Sequence, residues 1–161
     1  MTVRGEITID VTPEEFINTI HDFDQVYNFD QYLESHKLIE DIGEGMYITE
    51  LVFKKLLVIS RRETLSIIKR FSFDNGIVIM SAVSTEHPEC PLKKEPVRAT
   101  IYCAGWIAVP VDSNKTRAIY INSANPNGDI PNMFKPKAAY TAAGMPKLVK
   151  QYIDKRDKKK K

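Results

Sequence analysis

Cysteine is scarce in this chain, and its scarcity excludes several classes of protein. Cys90 and Cys103 are the only two cysteines among 161 residues, and their spacing matches neither a zinc motif nor a redox motif. The N-terminal stretch MTVRGEITID has no apolar core of the kind that a secretory signal carries. We therefore expect free thiols in a reducing, cytoplasmic setting, with no metal and no cofactor.

Long apolar runs are also missing. The longest stretch without a charged residue is Ala99–Val111, and Gly105 interrupts it. A membrane-spanning helix needs about 20 apolar residues. The sequence therefore predicts no membrane span.

A strong excess of basic residues is absent from most of the chain. The formal net charge is +2, but residues 155–161, KRDKKKK, contribute about +5, so the rest is about −3. A mildly acidic domain is poorly suited to binding the phosphate backbone of a nucleic acid, so we expect no nucleic-acid partner. We expect one domain over residues 1–154, in a monomer, followed by a basic tail at 155–161. That tail is either a solvated end or a weak attraction for anionic lipid.

Short elements of alternating polarity make up most of what is present. Glu6–Val11 alternates as a strand does, and Thr12 with Pro13 and Glu15 predicts the start of a helix. A second short helical piece follows. Turn residues such as Asp74-Asn75-Gly76 then separate six further strands and predict antiparallel neighbours. The predicted strands are Lys37–Ile42, Met46–Phe53, Ser60–Phe71, Ile77–Ser84, Val97–Val109 and Thr116–Ala124.

The last element is a helix to about Ile153, which Gly144 and Pro146 should interrupt. One strand, two short helices, six strands and a long helix predict an α+β fold. We expect a seven-stranded antiparallel sheet wrapped around the C-terminal helix, the helix-grip arrangement. A sheet that grips one helix favours an internal cavity.

The segment Ser81–Pro110 resembles the START domain, the lipid-transfer domain related to steroidogenic acute regulatory protein. The matching positions on it are Ser84, His87-Pro88, Cys90-Pro91, Val97-Arg98, Gly105-Trp106 and Pro110. Further matches, among them Ser60-Arg61-Arg62-Glu63 and Met145-Pro146-Lys147-Leu148, extend the resemblance over roughly residues 6–153. The family usually begins with a helix and two strands that precede the start of this match. Asp129 stands where the family usually has Trp.

The resemblance implies a protein that holds one lipid in an internal cavity and carries it between membranes. The lipid would be a sterol, a sphingolipid or a phospholipid, and the membrane contact would be transient.

Strand alternation places Met46, Ile48, Glu50 and Val52 on one face. An unpaired buried acid is costly, so Glu50 either meets a polar partner or faces water with the sheet turned the other way. The resemblance implies the first, because Glu50 matches an inward acid of the family. The matching partner position is Ile68, which cannot pair with an acid, so Arg62 or Arg70 would have to reach Glu50.

The remaining predicted cavity residues lie on later strands and on the last helix. They are Arg62, Thr64, Ser66, Ile68, Val78, Met80, Ala82, Tyr102, Tyr120, Met145, Leu148 and Val149. Such a wall suits a hydrophobic ligand with a small polar head better than a phosphate, which would favour converging Arg or Lys side chains. An aromatic cage for a choline head stays open.

An apolar segment between two predicted strands is a candidate membrane contact. It consists of Lys54, Lys55, Leu56, Leu57, Val58 and Ile59, called the gate segment below. It either begins the next strand or, as the resemblance implies, forms a loop at the cavity mouth that touches a bilayer reversibly.

Two other functional classes stay open at this point. An enzyme on the same core, such as a polyketide cyclase-like protein, would need Glu50 beside Tyr102 or Tyr120 as its acid–base groups. None of His21, His36 and His87 is an evident inward base, so we expect no catalytic residues. A protein-interaction domain with an incidental cavity is the third possibility.

Overall fold

The strands form one curved sheet in this computed structural model, which describes residues 1–56 and 58–159, without the side chains at positions 134, 135, 137 and 138. Among the described residues the sheet has eight strands, and its main path runs β1-β8-β7-β5-β4-β3-β2 with antiparallel pairs throughout. The strands are β1 (Thr2–Ile9), β2 (Leu33–Gly43), β3 (Met46–Phe53), β4 (Arg62–Ser72), β5 (Val78–Ser84), β6 (Val97–Arg98), β7 (Thr100–Asp112) and β8 (Lys115–Asn125).

The helices lie against one face of this sheet. They are α1 (Pro13–His21), α2 (Phe23–Val26), α3 (Lys135–Ala143) and α4 (Met145–Lys158), with a 3₁₀ turn at Asn132–Phe134 before α3. The predicted α+β helix-grip fold is confirmed. The extra strand arises because the predicted strand Val97–Val109 is divided at Ala99, whose amide N–H donates to the carbonyl of Glu63 at 2.8 Å. Its first part, β6, pairs in parallel with the start of β4.

The start of α1 follows the local sequence signal. The Thr12 hydroxyl accepts a hydrogen bond from the backbone N–H of Glu15 at 3.2 Å, and Pro13 occupies the first helical turn. The Glu15 carboxylate is turned away from the cap, toward Arg156 of α4 at 2.5 Å. The first and last helices are therefore joined by an ion pair as well as by packing.

The C-terminal helical region is broken where the sequence predicts. Gly144 separates α3 from α4, and α4 continues through Lys158, four residues into the predicted tail. Lys160 and Lys161 lie outside the described residues. Gly5 of β1 lies directly beneath this break, because a Cβ atom on Gly5 would stand 2.5 Å from the carbonyl oxygen of Ala143. The edge strand and the helix break are thus in backbone contact.

The main core fills one end of the space between sheet and helices. Phe16 of α1 meets Trp106 of β7 edge to face, with ring centroids 5.3 Å apart. Val149 and Ile153 of α4 are fully buried in the same cluster. We call the face of the sheet that packs against α1 and α4 the concave face, and the opposite face convex.

A second, smaller core lies on the convex face. Ile48 of β3 and Leu65 of β4 pack there with Cys90, beneath the segment 85–98. The Arg98 guanidinium holds this segment down, donating to the Glu63 carboxylate at 2.7 Å and to the Cys90 carbonyl at 3.1 Å. The proline-rich turn of the sequence therefore covers the outside of β3 and β4.

Candidate functional site

The concave wall can be read from the strand register, because residues paired across antiparallel strands point to the same face. Tyr47 identifies that face, since its ring lies 5.0 Å from the ring of His21 of α1. Three successive rows cross the wall. The first row is Arg70, Met80, Trp106 and Tyr120. The second is Tyr47, Ile68, Ala82, Ala104 and Asn122. The third is Thr49, Ser66 and Ser84.

The first row is the filled end of the wall. Trp106 is buried in the main core, and Met80 and Tyr120 pack against that core. Of the predicted cavity residues, Val78 and Val149 are also core residues, and Met145 packs beside them. Leu148 lines an outer cleft instead, as described below. Apart from Leu148, these side chains are packed against other core residues and leave little surface for a ligand to contact.

The second and third rows carry small and polar side chains. Ala82 and Ala104 carry only a methyl group, so the middle of the wall projects less toward the helices than the Trp106 end does. The predicted residues Ile68, Ser66 and Ala82 lie here, and Thr64 follows opposite Leu51 in the next row. The structure thus brings four of the predicted cavity residues together on the concave face.

Several polar groups of this middle region are buried without partners. Thr49 is 1% exposed, and its hydroxyl has no hydrogen-bond partner within the described part of the chain. Thr64 and Ser66 are buried residues whose hydroxyls make no hydrogen bond among the described residues, but their oxygens, unlike that of Thr49, are not fully enclosed. Asn122 donates to the Tyr120 hydroxyl at 2.9 Å, yet its own amide oxygen is buried and unpaired there. Such groups are uncommon in folded proteins and costly to leave unsatisfied.

The two arginines of the concave face are already engaged. Arg62 donates to the Pro126 carbonyl at 2.8 Å, to the Asn127 carbonyl at 3.0 Å and to both oxygens of Ser60 at 2.7 Å. Arg70 binds the Glu14 carboxylate and donates to the Asn18 side chain of α1 at 2.8 Å. Arg62 therefore ties the loop after β8 to the start of β4, and neither arginine is free for an anionic ligand.

The predicted inward position of Glu50 is wrong. Glu50 pairs with Leu65 across β3 and β4, so it lies on the convex face, opposite to Ile68, Arg62 and Arg70. Its nearest cation is Lys93 of the covering segment, at 4.0 Å, and one of its carboxylate oxygens is buried without a partner among the described residues. The apolar residues around it belong to the convex core, which is why that face resembled a cavity wall.

Tyr102 also lies outside the predicted wall. The register of β7 against β8 slips between Ile101 and Cys103, and the β-bulge adds one residue to β7. Strict alternation from Trp106 would point Tyr102 inward, but its side chain is 58% exposed. The bulge therefore removes one predicted hydroxyl from the wall and leaves that of Tyr120.

Sequence reasoning missed Thr49, Asn122 and Asp30. Burial raises the pKa of the Asp30 carboxyl, although the backbone N–H of Tyr32 donates to it at 2.9 Å. Burial also raises the pKa of Tyr120, with a smaller contribution from the charge of Asp30. Asp30 follows a short helix and carries no motif, so only the fold reveals its burial. These shifts mark a dry environment between β8 and the loop after α2.

The gate segment is a loop between β3 and β4, not the start of a strand. Leu56 and Ile59 pair through two backbone hydrogen bonds of 3.0 and 2.9 Å, and Ile59 is buried. Val58 is 62% exposed, and Lys54 and Lys55 are exposed residues. The Lys54 ammonium donates to the Gln31 carbonyl at 2.9 Å. Leu57 lies outside the described residues.

Two open clefts differ in charge. One, of about 450 Å³, is lined by His21, Asp22, Phe23, Asp24, His36, Leu38, Asp41 and Tyr47. The other, of about 570 Å³, is lined by Asn28, Phe29, Leu148, Gln151, Tyr152, Lys155, Arg156 and Lys159. The first adjoins the concave wall from the β2 edge, because Leu38 is the register partner of Thr49. We call them the acidic cleft and the basic cleft.

Two features are absent from the part of the chain that the structure describes. No group of three His, Cys, Asp or Glu side chains there is placed to hold a metal ion. No helix there is long and apolar enough to cross a bilayer.

The sheet, the broken C-terminal helix and the partly polar concave wall define a helix-grip protein. Within that class, the family model for the START domain matches residues 6–152. The chain belongs to the START domain family.

Relatives agree with this assignment. The bovine (Bos taurus) StAR-related lipid transfer protein 5 is 22% identical, and the match covers 93% of this chain and 76% of that protein. The human StarD13 lipid transfer and protein localization domain is 16% identical, with a TM-score of 0.80 over 91% of this chain and 74% of that one. The Zhui aromatase/cyclase from Streptomyces sp. R1128 is 13% identical, with a TM-score of 0.51 over 96% and 82%. The fold is thus shared by lipid transfer proteins and by a cyclase.

Proposed function

We propose that this protein binds one lipid between the concave wall and the C-terminal helices and transfers it between membranes. The observation that carries the proposal is the match to the START family over a sheet whose middle rows carry small side chains and two buried oxygens that are unpaired within the described chain, the Thr49 hydroxyl and the Asn122 amide oxygen. The bovine relative is by name a lipid transfer protein.

The surface around the gate segment supports transient membrane contact. Val58 of the gate segment is 62% exposed, and the exposed Lys54 and Lys55 precede it. Met133 and Tyr140, before and within α3, are also exposed, by 78% and 83%. Exposed apolar side chains beside lysines suit reversible binding to an anionic bilayer. We propose a monomer in the cytoplasm that touches membranes only while it exchanges lipid.

A binding role is favoured over the enzyme alternative. The acid–base pair considered from the sequence required Glu50 beside Tyr102 or Tyr120. Glu50 is on the convex face, Tyr102 is exposed and Tyr120 is on the concave face, so these groups do not share a site.

Native mass spectrometry of the purified protein, followed by lipid extraction, tests the proposal. We expect the protein to carry one lipid at unit stoichiometry after incubation with mixed-lipid vesicles, and to release it to acceptor vesicles. A protein that takes up no lipid from vesicles or from a cell extract would contradict the proposed function.

A further inference from the structure

We propose that the hydroxyl groups of Thr49 and Ser66 form the head-group site, and that it takes a neutral lipid with a hydroxyl head rather than a phosphorylated one. This inference rests on the proposed function and specifies its ligand class. It does not involve Glu50, which lies on the convex face.

The first argument is the unsatisfied hydrogen-bonding capacity of this part of the wall. Thr49 and Ser66 are register partners on adjacent strands, so their side chains stand next to each other on the concave face. Both are at least nine-tenths buried, at 1% and 5% exposure. The Thr49 hydroxyl is fully enclosed without a hydrogen-bond partner among the described residues. The Ser66 hydroxyl has no partner there either, and its oxygen is not fully enclosed. Each can donate one hydrogen bond and accept others, which is what a ligand hydroxyl requires.

A third hydroxyl in the row shows what a satisfied group looks like there. Ser84 is the register partner of Ser66, and its side-chain oxygen accepts from the backbone N–H of Ile101 at 2.8 Å. One hydroxyl of the row therefore has a structural partner, and the other two are left for a ligand. Within the described chain Asn122 also has an unpaired buried amide oxygen, but it lies on β8, three strands from Ser66, and is not part of this pair.

The second argument is the distribution of charge. A phosphate head would favour converging cations, but Arg62 and Arg70, the arginines of the concave face, are bound to backbone carbonyls and to α1. No Lys or Arg lines the acidic cleft in the described chain, and three aspartates do. This cleft adjoins Thr49 through Leu38. An anionic head near Thr49 would thus meet acids and no free cation.

The third argument is the separation of the basic side chains from this position. Lys155, Arg156 and Lys159 line the basic cleft, beside α4 and the loop after α2. Arg156 is already paired with Glu15 and Asp157, so Lys155 and Lys159 are the side chains that suit attraction of the protein to an anionic membrane surface. Lys155 and Lys159 therefore place their charge outside the wall, and the two arginines on the wall are already bound by other groups of the protein.

The test is a headgroup series with one chain composition. Affinities are measured by fluorescence for diacylglycerol, phosphatidylcholine and phosphatidic acid that carry the same labelled acyl chain, with dehydroergosterol as a neutral sterol. The proteins are the wild type, Thr49→Val, Ser66→Ala and Thr8→Val. Thr8 is an exposed threonine on β1, so Thr8→Val is the matched control.

We expect the wild type to bind diacylglycerol or dehydroergosterol at least about tenfold more tightly than either phospholipid. Thr49→Val and Ser66→Ala should each weaken that binding about tenfold, the equivalent of one lost hydrogen bond. Thr8→Val should change nothing. In the ligand-free protein, Thr49→Val should be at least as resistant to urea as the wild type, because it removes an unsatisfied buried hydroxyl.

The outcomes that contradict the proposals differ. If the wild type binds phosphatidylcholine or phosphatidic acid as tightly as the neutral lipids, the ligand class is wrong. If neutral lipid binds and both variants bind it as the wild type does, the head-group site is wrong. If the wild type binds none of the four probes, the proposed function fails and the site with it.

Discussion

At the scale of single residues, the most consequential charge is the Glu63 carboxylate. Its side chain is 1% exposed, and it meets the Arg98 guanidinium, itself 14% exposed, at 2.7 Å. A buried ion pair contributes little net stability compared with an apolar pair, but removal of one partner leaves an uncompensated charge. The pair therefore makes the covering segment 85–98 hard to lift from the convex face.

Glu63→Gln should accordingly lower the free energy of unfolding by about 3–5 kcal/mol. Glu34→Gln is the matched control, because Glu34 pairs with Arg61 at the surface, where an ion pair is worth about 0–1 kcal/mol. Urea unfolding followed by circular dichroism measures both. Equal losses in the two variants would show that Glu63 is no more important than a surface acid.

His21 gives a residue-scale prediction on pH. Burial lowers the pKa of His21, the charge of Arg70 lowers it further, and Asp22 opposes both. The folded state thus binds this proton less readily than the unfolded state, so stability is fully present above the ordinary histidine pKa and is lost as the pH falls through the lowered one.

Between about pH 7.5 and about pH 5, the wild type should lose more stability than His21→Gln does. The difference between the two proteins isolates His21 from groups such as Asp30, whose pKa is raised and whose effect has the opposite sign. Urea midpoints at the two pH values provide the measurement. Parallel pH profiles would show that His21 does not titrate differently on folding.

Sequence reasoning at this scale succeeded for features that depend on neighbouring residues. It failed where a segment distant in the sequence determines which face of a strand is buried. Thr12 as a cap and Gly144 as a helix break depend on neighbours within a few residues. Glu50 was misplaced because both faces of β3 are covered, one by helices and one by segment 85–98. Tyr102 was misplaced because a bulge is not visible in the alternation of one strand.

At the scale of elements, the contact between β1 and the helix break limits the volume of one residue. Gly5→Ala would place a methyl group 2.5 Å from the Ala143 carbonyl oxygen and 3.0 Å from Pro146. We expect the helix break to shift and the protein to lose about 1–3 kcal/mol of stability. Thr8→Ala on the same strand, at an exposed position, should cost much less. Thermal unfolding of the two variants distinguishes them, and comparable melting temperatures would contradict the close contact.

Arg62 joins elements that are far apart in the sequence. Its guanidinium connects Ser60, at the end of the gate segment, to Pro126 and Asn127, in the loop that leads to α3. The chain after the gate segment and the loop before α3 are therefore fastened to one side chain. Arg62 is among the positions that match the family, and a ligand-binding role is predicted for it, but its hydrogen bonds are made to the protein itself.

Arg62→Lys keeps the charge but cannot reach all these oxygens. We expect a loss of about 2–3 kcal/mol and faster amide hydrogen exchange in residues 125–131. Arg61→Lys is the control, since the neighbouring Arg61 bonds only the surface acid Glu34 among described side chains. Unchanged exchange in Arg62→Lys would mean that the loop is held by other contacts.

At the scale of the whole molecule, the prediction concerns lipid transfer. Val58 and Val111 are both valines with similar exposure, 62% and 57%. Val58 lies in the gate segment, and Val111 lies in the β7 end of a hairpin. If the gate segment inserts into the bilayer, Val58→Asp should slow lipid transfer between anionic vesicles about tenfold, equivalent to roughly 1.4 kcal/mol. Val111→Asp should leave the rate unchanged.

Lipid loading in detergent should be the same for both variants, which separates membrane contact from lipid binding. A Val58→Asp protein that transfers lipid at the wild-type rate would rule out this side chain as the contact. The same assay in vesicles without anionic lipid reports the contribution of the basic residues.

The fold as a whole was predictable because its elements are marked by short-range signals in a consistent order. The location of the polar groups was not, because the inner face of each strand is fixed by what packs on the outer face. Thr49 lies on an inner face only because Ile48 and Leu65 are held outside by the segment that carries Cys90 and Arg98.

That two-sided packing has a mechanical consequence. A layer with tightly packed side chains on its outside is stiff, so β3 and β4 should yield little when ligands of different shape are bound. Among the helices that face the concave side of the sheet, α3 and α4 are separated by Gly144. We expect α3 to rotate relative to α4 when ligands of different size are bound. The Thr49–Ser66 pair should keep the same position for all of them.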